Sequence, residues 1–374
     1  CDMFYSWSAA AADFNRDGYM DIVAGPNLYY GPDFTKWREI YLSSTLSPSK
    51  EFPDVNGQFA FDYTGDGWPD VVVAPPRGVL YVNPGNESRR WERYDIFPNV
   101  QSESALAADV DGDGRPEIVL AISNHVGYAK PGPEGAAKPW IVHRVSEAGY
   151  GNSHGIGAGD INGDGRVDIL NPFGWWEQPP AGSAEGPWKY HSQPFGWARR
   201  SIGGANIYVY DVNGDGLNDV VTSMDAHGSG LGWYEQKRDA GGAITFVEHI
   251  ISEGFGGKNA GGVAFTQPHA TALADIDGDG IPDFIAGKRY WSHLETTLDP
   301  DGWGTPVLYW YRTVRNPKAP GGAEFVPELI HNRSGGGSDI LAADLNGDGA
   351  VDVVTSTNRG TFVFWNRPRG RAAR

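Results

Sequence analysis

Short hydrophobic stretches recur along the chain, separated by turns rich in Gly, Pro and Asp. Small residues come first, as in SAAAAD, ALAADV and TALADI, and aliphatic or β-branched residues follow, as in DIVAG, DVVVA and DFIAG. An aromatic stretch (NLYYG, GWWEQ, VLYWYR) and an outer stretch (KWREIYL, RRWERYDIF, AEFVPELI) complete each unit. Their length and alternation are typical of β-strands, and helical periodicity is lacking.

The unit occurs seven times. Four antiparallel strands per repeat form one blade of a β-propeller, so the sequence predicts an all-β, seven-bladed β-propeller over residues 1–366, followed by a basic tail, 367–374. The last unit (339–366) has only three strand stretches, so either the chain upstream of Cys1 supplies a fourth or the blade has three. The blades are expected to begin near residues 7, 56, 103, 154, 205, 269 and 338.

A nine-residue acidic loop links the first two strands of every repeat. It reads Asp-x-(Asp/Asn/Thr)-x-Asp-Gly-x-x-(Asp/Glu), with side-chain oxygens at positions 1, 3, 5 and 9 and a turn glycine at position 6. This spacing of hard oxygen donors favours calcium, so we predict up to seven structural calcium ions. The second copy departs from the pattern because Thr64 stands at position 3. The predicted ligands are Asp13, Asn15, Asp17, Asp21, Asp62, Thr64, Asp66, Asp70, Asp109, Asp111, Asp113, Glu117, Asp160, Asn162, Asp164, Asp168, Asp211, Asn213, Asp215, Asp219, Asp275, Asp277, Asp279, Asp283, Asp344, Asn346, Asp348 and Asp352.

The acidic loops also explain the charge of the chain. The formal net charge is −17, from 47 Asp and Glu against 30 Lys and Arg, and about half of these carboxylates lie in the loops. Seven divalent ions would leave about −3. This acidity argues against nucleic acid as a partner. No apolar run reaches about 18 residues, so no membrane span is expected.

Calcium loops of this kind fill at the millimolar calcium found outside cells, so we predict a secreted, periplasmic or cell-surface protein. No signal-peptide pattern is present. The single cysteine, Cys1, stands where mature bacterial lipoproteins carry their lipid. A lipid anchor at Cys1 and a chain that begins there through processing are both open.

Residues before strand one and after strand two are expected at the ring face opposite the acidic loops. Unusual polar side chains gather there on repeats four to six. Three histidines can hold a transition metal such as zinc or act as acid/base groups beside Lys and Arg; isolated rim histidines that only make hydrogen bonds are the alternative. Rings beside polar groups suit a carbohydrate. The candidate catalytic residues are His154, His227, His269, Lys288 and Arg289, and the candidate substrate contacts are Asn206, Asp225, Tyr290, Trp291, His293 and Trp175.

On the acidic loops and blade pattern, the chain resembles the FG-GAP or VCBS repeat family, seen in integrin α-chain propellers and secreted bacterial proteins. This resemblance implies the fold but no activity. The segments SHGIGAGDINGDGRVDILNPFGWWEQP, YDVNGDGLNDVVTSMDAHGSGLGWYEQ and QPHATALADIDGDGIPDFIAGKRYWSH further resemble the propeller of aldos-2-ulose dehydratases and bacterial relatives. That likeness implies elimination of water from keto-sugars such as 1,5-anhydrofructose, with His154 as the leading acid/base group and His227 and His269 as partners or metal ligands. The cupin domains of the fungal enzyme have no counterpart in this sequence, so its isomerising activity is not implied.

Three functions follow, and we favour the first. It is a carbohydrate lyase that acts on keto-sugars by β-elimination. The second is a non-catalytic propeller, lectin-like or adhesive, that binds glycan or protein on the same face. The third is a structural part of a larger assembly with a protein partner. The rim residues differ from blade to blade, which suits one asymmetric site better than seven equivalent ones.

Overall fold

The chain is a seven-bladed β-propeller, as predicted. The computed structural model describes residues 4–48, 50–98, 100–180, 186–293 and 299–367, apart from the side chain of Gln101. Seven antiparallel sheets account for its regular structure. The described part of the chain has no α-helix, only two short 3-10 turns, at Ala260–Gly262 and Pro320–Gly322. Accordingly, it offers no helix of the length and apolarity that a membrane crossing requires.

Strands follow one another within each sheet in chain order, from the ring centre outwards. Blades one to four comprise β1 (Ala10–Ala12), β2 (Asp21–Ala24), β3 (Asn27–Tyr30), β4 (Lys36–Glu39), β5 (Gln58–Phe61), β6 (Asp70–Val73), β7 (Gly78–Val82), β8 (Glu92–Phe97), β9 (Val100–Ala108), β10 (Glu117–Ile122), β11 (His125–Lys130), β12 (Ile141–Arg144), β13 (Gly157–Gly159), β14 (Asp168–Asn171), β15 (Gly174–Glu177) and β16 (Lys189–Ser192). Blades five to seven comprise β17 (Tyr208–Tyr210), β18 (Asp219–Ser223), β19 (Leu231–Arg238), β20 (Ile244–Ser252), β21 (Ala270–Ala274), β22 (Asp283–Gly287), β23 (Leu308–Arg315), β24 (Ala323–His331), β25 (Ile340–Ala343), β26 (Asp352–Thr357) and β27 (Gly360–Phe364).

The second strand of each blade is its most buried element because it is covered on both faces by neighbouring blades. All four residues of β6, Asp70–Val73, are buried, and the aliphatic run reflects this two-sided packing. The innermost strands are rich in Ala and Gly because they converge on the ring axis. A Cβ atom on Gly157 would lie 2.6 Å from the carbonyl oxygen of Ile207 in the next blade, so only glycine fits there.

The ring closes where blade seven meets blade one. The backbone N–H of Ser338 donates to the carbonyl of Trp7 over 2.7 Å, and the rings of Phe34 and Trp365 stack with centroids 5.8 Å apart. Blade seven has three strands within the described residues. The predicted tail (367–374) lies outside them beyond residue 367, as does Cys1, so both predictions about the chain ends stay predictions.

One residue at the end of strand three connects each of several blades to the blade before it. In blade two, Asn83 donates its backbone N–H to the position-9 carboxylate of Asp70 over 2.9 Å. Its side-chain amide donates to the carbonyl of Phe14 in the loop of blade one, also over 2.9 Å. The loops are therefore tied to one another around the ring. The same double contact is made by Gln178, Gln236 and Asn366.

In two other blades an arginine at a different position reaches the blade before it, and in one blade the equivalent residue has no side chain for this contact. Arg115 of blade three donates to the carbonyl of Tyr63 over 2.8 Å, and Arg315 of blade six donates to that of Asp211 over the same distance. In blade one the equivalent residue is Gly31, whose N–H binds Asp21. Glycine has no side chain to reach the loop of blade seven.

Candidate functional site

Three histidines from three blades meet near the ring centre, on the face opposite the acidic loops. His154 precedes β13, and its backbone N–H donates to the carbonyl of Ile202. His227 lies in the turn after β18. His269 precedes β21, where its N–H donates to the carbonyl of Gln267 over 2.7 Å. The register of the repeats therefore brings these residues together as the sequence predicted.

The three imidazoles are close enough to share one ion. Each offers a ligand atom within 4.8 Å of the other two, and the Nε2 atoms of His154 and His227 are 3.0 Å apart. Two nitrogens bound to one tetrahedral zinc ion lie about 3.3 Å apart. The ring centroid of His269 lies 5.3 Å from that of His154 and 5.2 Å from that of His227. Small side-chain adjustments suffice to place all three around one ion.

Burial keeps all three rings neutral at pH 7. It lowers the pKa of His269 to about 4, with the charge of Arg289 acting in the same direction. Burial, and then the neighbouring His269 and His154, hold the pKa of His227 far below its ordinary value. The pKa of His154 is also lowered, again by burial. Neutral imidazole is the form that binds a metal or accepts a proton.

His269 has the surroundings of a metal ligand. Its Nδ1 atom is buried without a hydrogen-bond partner, and its Nε2 atom lies 3.3 Å from a carboxylate oxygen of Glu103. Two tautomers fit the contacts of Nε2. With the proton on Nε2 and directed at Glu103, Nδ1 presents a free lone pair; with the proton on Nδ1, Nε2 accepts the N–H of Arg289, whose Nη1 lies 2.9 Å away. Only the first tautomer makes Nδ1 a metal ligand. Metal-bound histidines commonly have such a carboxylate behind them, which fixes the tautomer.

Arg289 is a fully buried residue that contacts one of the three histidines. Its Nη1 atom donates to Glu103 over 2.6 Å and lies 2.9 Å from Nε2 of His269. The guanidinium is fully buried, and it lies over the ring of Trp7 at 4.4 Å. Burial alone would raise the pKa of Glu103, but Arg289 and His269 hold it well below its usual range. The pair is therefore ionic at neutral pH and positions His269.

Two predicted site residues, Lys288 and Asp225, form hydrogen bonds to surrounding loops. The ammonium of Lys288 donates to the hydroxyl of Thr266 over 2.6 Å and to the carbonyl of Asp301 over 2.8 Å. Burial lowers the pKa of Lys288 to about 8. The carboxylate of Asp225 accepts the backbone N–H groups of Arg200 and Ser201 over 2.9 and 3.0 Å. Both side chains are buried and shape the loops around the histidines.

His293 joins the cluster from the long connection between β22 and β23. Its ring stacks on that of His227 with centroids 4.2 Å apart, and its Nδ1 atom lies 2.6 Å from a carboxylate oxygen of Asp299. The other oxygen of Asp299 lies 4.0 Å from Nδ1 of His227. His227, His293 and Asp299 form a second group with ligand atoms within 4.8 Å of one another.

The remaining predicted substrate contacts differ in where the structure places them, and one of them lies away from the cluster. Trp291 packs against the exposed Trp303 with centroids 4.2 Å apart, and the carbonyl of Tyr290 accepts the side-chain amide of Asn358. The carbonyl of Asn206 accepts Thr222 and Thr271. Trp175 is not brought to the cluster, contrary to our expectation. It is buried on β15 and stacks on His191 at 3.9 Å, because strand-three aromatics fill the space between blades.

A cavity of about 680 Å³ lies elsewhere, at the outer edge between blades five and six, next to Trp233 and Phe325. It contains none of the clustered histidines. The candidate site is therefore defined by its convergent side chains, and not by the volume of a cavity.

The acidic loops have the features that a calcium ion requires. Position-1 carboxylates accept N–H groups of their own loop, as Asp160 does from Gly163 and Gly165, which holds the loop in a compact turn. In loop six the carboxylates of Asp275, Asp277 and Asp279 lie within 4.8 Å of one another. This all-oxygen donor set fits calcium. Calcium binding itself stays a prediction.

The position-9 carboxylates carry a burial penalty that a cation would relieve. Asp168 is fully buried, and it accepts N–H groups from Ile161 and Gln178 over 2.9 Å. Burial raises its pKa to about 7, and the charges of Asp164 and Asp160 add to this. The same carboxyl in blade five, Asp219, also has its pKa raised to about 7 by burial.

We therefore expect calcium-free protein to lose stability as the pH rises. The pKa of Asp168 is 3.8 without burial and about 7 in the folded chain, so the folded state binds the proton more tightly. This contribution is fully present below pH 3.8 and is lost as the pH rises through about 7. The thermal midpoint of calcium-stripped protein should be higher at about pH 5 than at about pH 8, and Asp168→Asn should reduce that difference. Asp95 is exposed, so Asp95→Asn should leave the difference between the two midpoints unchanged. A reduction as large as that in Asp168→Asn would contradict the prediction.

Sequence reasoning missed two partners of the histidines. Glu103 occupies the same rim position as His154 and His269, six residues before its loop, so the repeat register contained the signal. Asp299 lies in an insertion that has no counterpart in the other repeats, and no pattern marks it. Its contact with His293 joins two residues of that insertion that lie six positions apart in the chain.

Comparisons with known families agree with the fold. Residues 62–120 and 211–286 match the FG-GAP-like repeat, and residues 5–31 match the FG-GAP repeat. The protein is thus a seven-bladed β-propeller in which three segments match FG-GAP-type repeats. A search of curated proteins found no significant match.

Solved structures with related folds have diverse functions. A lectin of Agrocybe aegerita that recognises non-reducing terminal N-acetylglucosamine is 18% identical, with a TM-score of 0.48 over 84% of this chain and 77% of the lectin. The V. cholerae biofilm matrix protein Bap1 is 11% identical, with a TM-score of 0.44 over 98% and 88%. The rhamnogalacturonan lyase YesW is 14% identical, with a TM-score of 0.46 over 99% and 73%. Likenesses this distant do not establish a function.

Proposed function

We propose that the protein is a carbon–oxygen lyase that acts on keto-sugars by β-elimination, with a zinc-like ion held by His154, His227 and His269. The observation that carries this proposal is the convergence of three neutral imidazoles from three blades. The resemblance of these blades to aldos-2-ulose dehydratases supplies the substrate class. Seven structural calcium ions and a location outside the cytoplasm belong to the same proposal.

The chemistry needs a base and a group that stabilises the enolate. A carbonyl acidifies the neighbouring C–H, a base removes that proton, and the β-hydroxyl or glycosyl group leaves. An ion bound by the three imidazoles supplies Lewis acidity toward the carbonyl oxygen. A metal-bound imidazole nitrogen cannot also accept the proton, so His154 is the base only if His227 and His269 hold the ion without it. It is the candidate for that role because it is less buried than those two, which have carboxylates close to their second nitrogens.

The test is an ultraviolet assay for enone formation from 1,5-anhydrofructose and a panel of 2- and 3-keto-glycosides. Calcium-loaded protein should form product, and His154→Gln should lower the rate about 100-fold or more. His143→Gln is the matched control, since His143 stacks on Tyr128 in an outer strand. Zinc retained by inactive His154→Gln assigns His154 as base, and zinc lost together with activity assigns it as ligand.

A second candidate function is glycan binding without chemistry. The observation that favours it is the exposed aromatic surface beside the cluster, where Trp303 is 69% and Phe52 38% exposed. Such rings stack on sugars. If folded, calcium-loaded protein turns over no substrate yet binds a glycan, and Trp303→Ala abolishes the binding, the lyase proposal is replaced by this one.

A further inference from the structure

His227 lies between two groups of ligand atoms and has one nitrogen near each. Its Nε2 atom lies 3.0 Å from Nε2 of His154. Its Nδ1 atom lies on the other side of the ring, 4.0 Å from Asp299 and 3.5 Å from the hydroxyl of Ser292. His227 is therefore shared by both groups of candidate ligands.

The second group has its own metal chemistry. Asp299 has a side chain only 8% exposed, and its two oxygens reach towards His293 and His227 at 2.6 and 4.0 Å. Two imidazoles and one carboxylate are a donor set for zinc and other first-row transition metals. Arg289 faces the His269 side of the cluster. The nearby cation of Asp299 is Lys288, on whose pKa the charge of Asp299 acts, but the ammonium of Lys288 is held by Thr266 and Asp301.

The geometry requires one ring movement. The rings of His227 and His293 stack with an interplanar angle of 24°, so their in-plane lone pairs cannot meet at one ion. His293 has to turn out of the stack. Its side chain is 26% exposed, against 10% for His227, and the residue itself lies outside the strands, after the end of β22.

We propose that His227 bridges two transition-metal ions, one shared with His154 and His269 and the other with His293 and Asp299. The first position rests on the proposed function, and the second goes beyond it. An imidazole that binds an ion through each nitrogen has released its remaining N–H proton to solvent. The bridging ring then carries one negative charge, and the two cations offset this charge and that of Asp299.

A simpler arrangement predicts a different metal content. If Asp299 only orients the two rings as an outer carboxylate, one ion binds, and substitutions of Asp299 weaken it without changing the stoichiometry. In the bridged centre, Asp299 and His293 affect the second ion alone. Metal stoichiometry therefore separates the two arrangements, and no activity measurement is needed.

The experiment counts zinc. Full-length protein is stripped with a chelator, reloaded with calcium to fill the acidic loops, and titrated with zinc under calorimetry, with elemental analysis after desalting. We expect two zinc ions per chain in the wild type and in the control His143→Gln. Asp299→Asn and His293→Gln should each retain one, His154→Gln should lose the first, and His227→Gln should lose both. Thermal unfolding in calcium establishes that each variant is folded.

Copper tests the bridge directly. Two copper(II) ions joined by one imidazolate are exchange-coupled, so the electron paramagnetic resonance signal of isolated copper is lost in the wild type and returns in Asp299→Asn. One zinc per chain that depends on His154 overturns the bridge and leaves the proposed function intact. No zinc overturns both. Two zinc ions with uncoupled copper signals overturn the role of His227.

Discussion

Removal of calcium should lower the thermal unfolding midpoint by about 13 °C. An ion present at about ten times its dissociation constant stabilises the folded state by about 1.4 kcal/mol, and seven loops give about 10 kcal/mol in total. For a chain of 374 residues, the unfolding entropy converts this into about 13 °C. The physical source is the cluster of like charges in each loop, including a fully buried carboxylate such as Asp168.

Calorimetry in calcium and after chelation measures the effect. Asp160→Asn removes a position-1 ligand and should raise the calcium concentration needed for full stability, whereas Asp95→Asn, on an exposed strand, should not. Magnesium at the same concentration should restore little, since it prefers a smaller octahedral site. Equal midpoints with and without calcium would show that the loops are ordinary acidic turns.

Replacement of Arg289 should cause the largest loss of stability from a single substitution. Arg289→Met leaves Glu103 without its charge partner in a mostly buried position, and breaking such a pair costs about 3–5 kcal/mol. We expect the lower end, about 3 kcal/mol, because the side chain of Glu103 is 32% exposed and water screens part of the charge. Contact of the guanidinium with Trp7 is lost as well.

Chemical denaturation of calcium-loaded protein tests this value. Arg90→Met is the matched control because its pair with Glu39 is exposed, and such pairs contribute about 1 kcal/mol or less. The double variant Arg289→Met with Glu103→Gln should be destabilised by less than the sum of the two single variants. Simple additivity would mean that the two side chains act independently and that the ion pair does not hold the site.

The fold could be predicted because the same pattern of an acidic loop followed by a buried strand occurs seven times in the sequence. Each acidic loop fixes the start of a buried strand, as Asp70 does at the start of β6, so a single repeat determines the others. Convergence of His154 and His269 followed from the same register. Each lies six residues before its loop, so the repeat register places both side chains at the same point of their blades.

Predictions failed where a side chain depended on contacts outside the repeat. Trp175 looked like a sugar platform, but strand-three aromatics are needed to fill the wedge between blades, and Trp175 is 2% exposed. Lys288 looked catalytic, yet its ammonium is engaged by Thr266 and Asp301. Asp301 lies in the blade-six insertion, whose path no periodicity encodes, so the sequence offered no sign of this contact.

The side-chain hydrogen bonds that join each acidic loop to the next blade do not treat all seven junctions of the ring alike. Six junctions carry a side-chain donor, such as Asn83 between blades two and one, whereas the residue that would serve the seventh is Gly31. The junction between blades seven and one is instead held by packing, which includes the stack of Phe34 on Trp365 and the contact of Ile22 with the cluster around Val354. Trp7 closes this junction through its carbonyl, which accepts the N–H of Ser338, and its ring lies against Arg289, the neighbour of His269. The seam between the last and the first blade and the histidine site therefore share one residue.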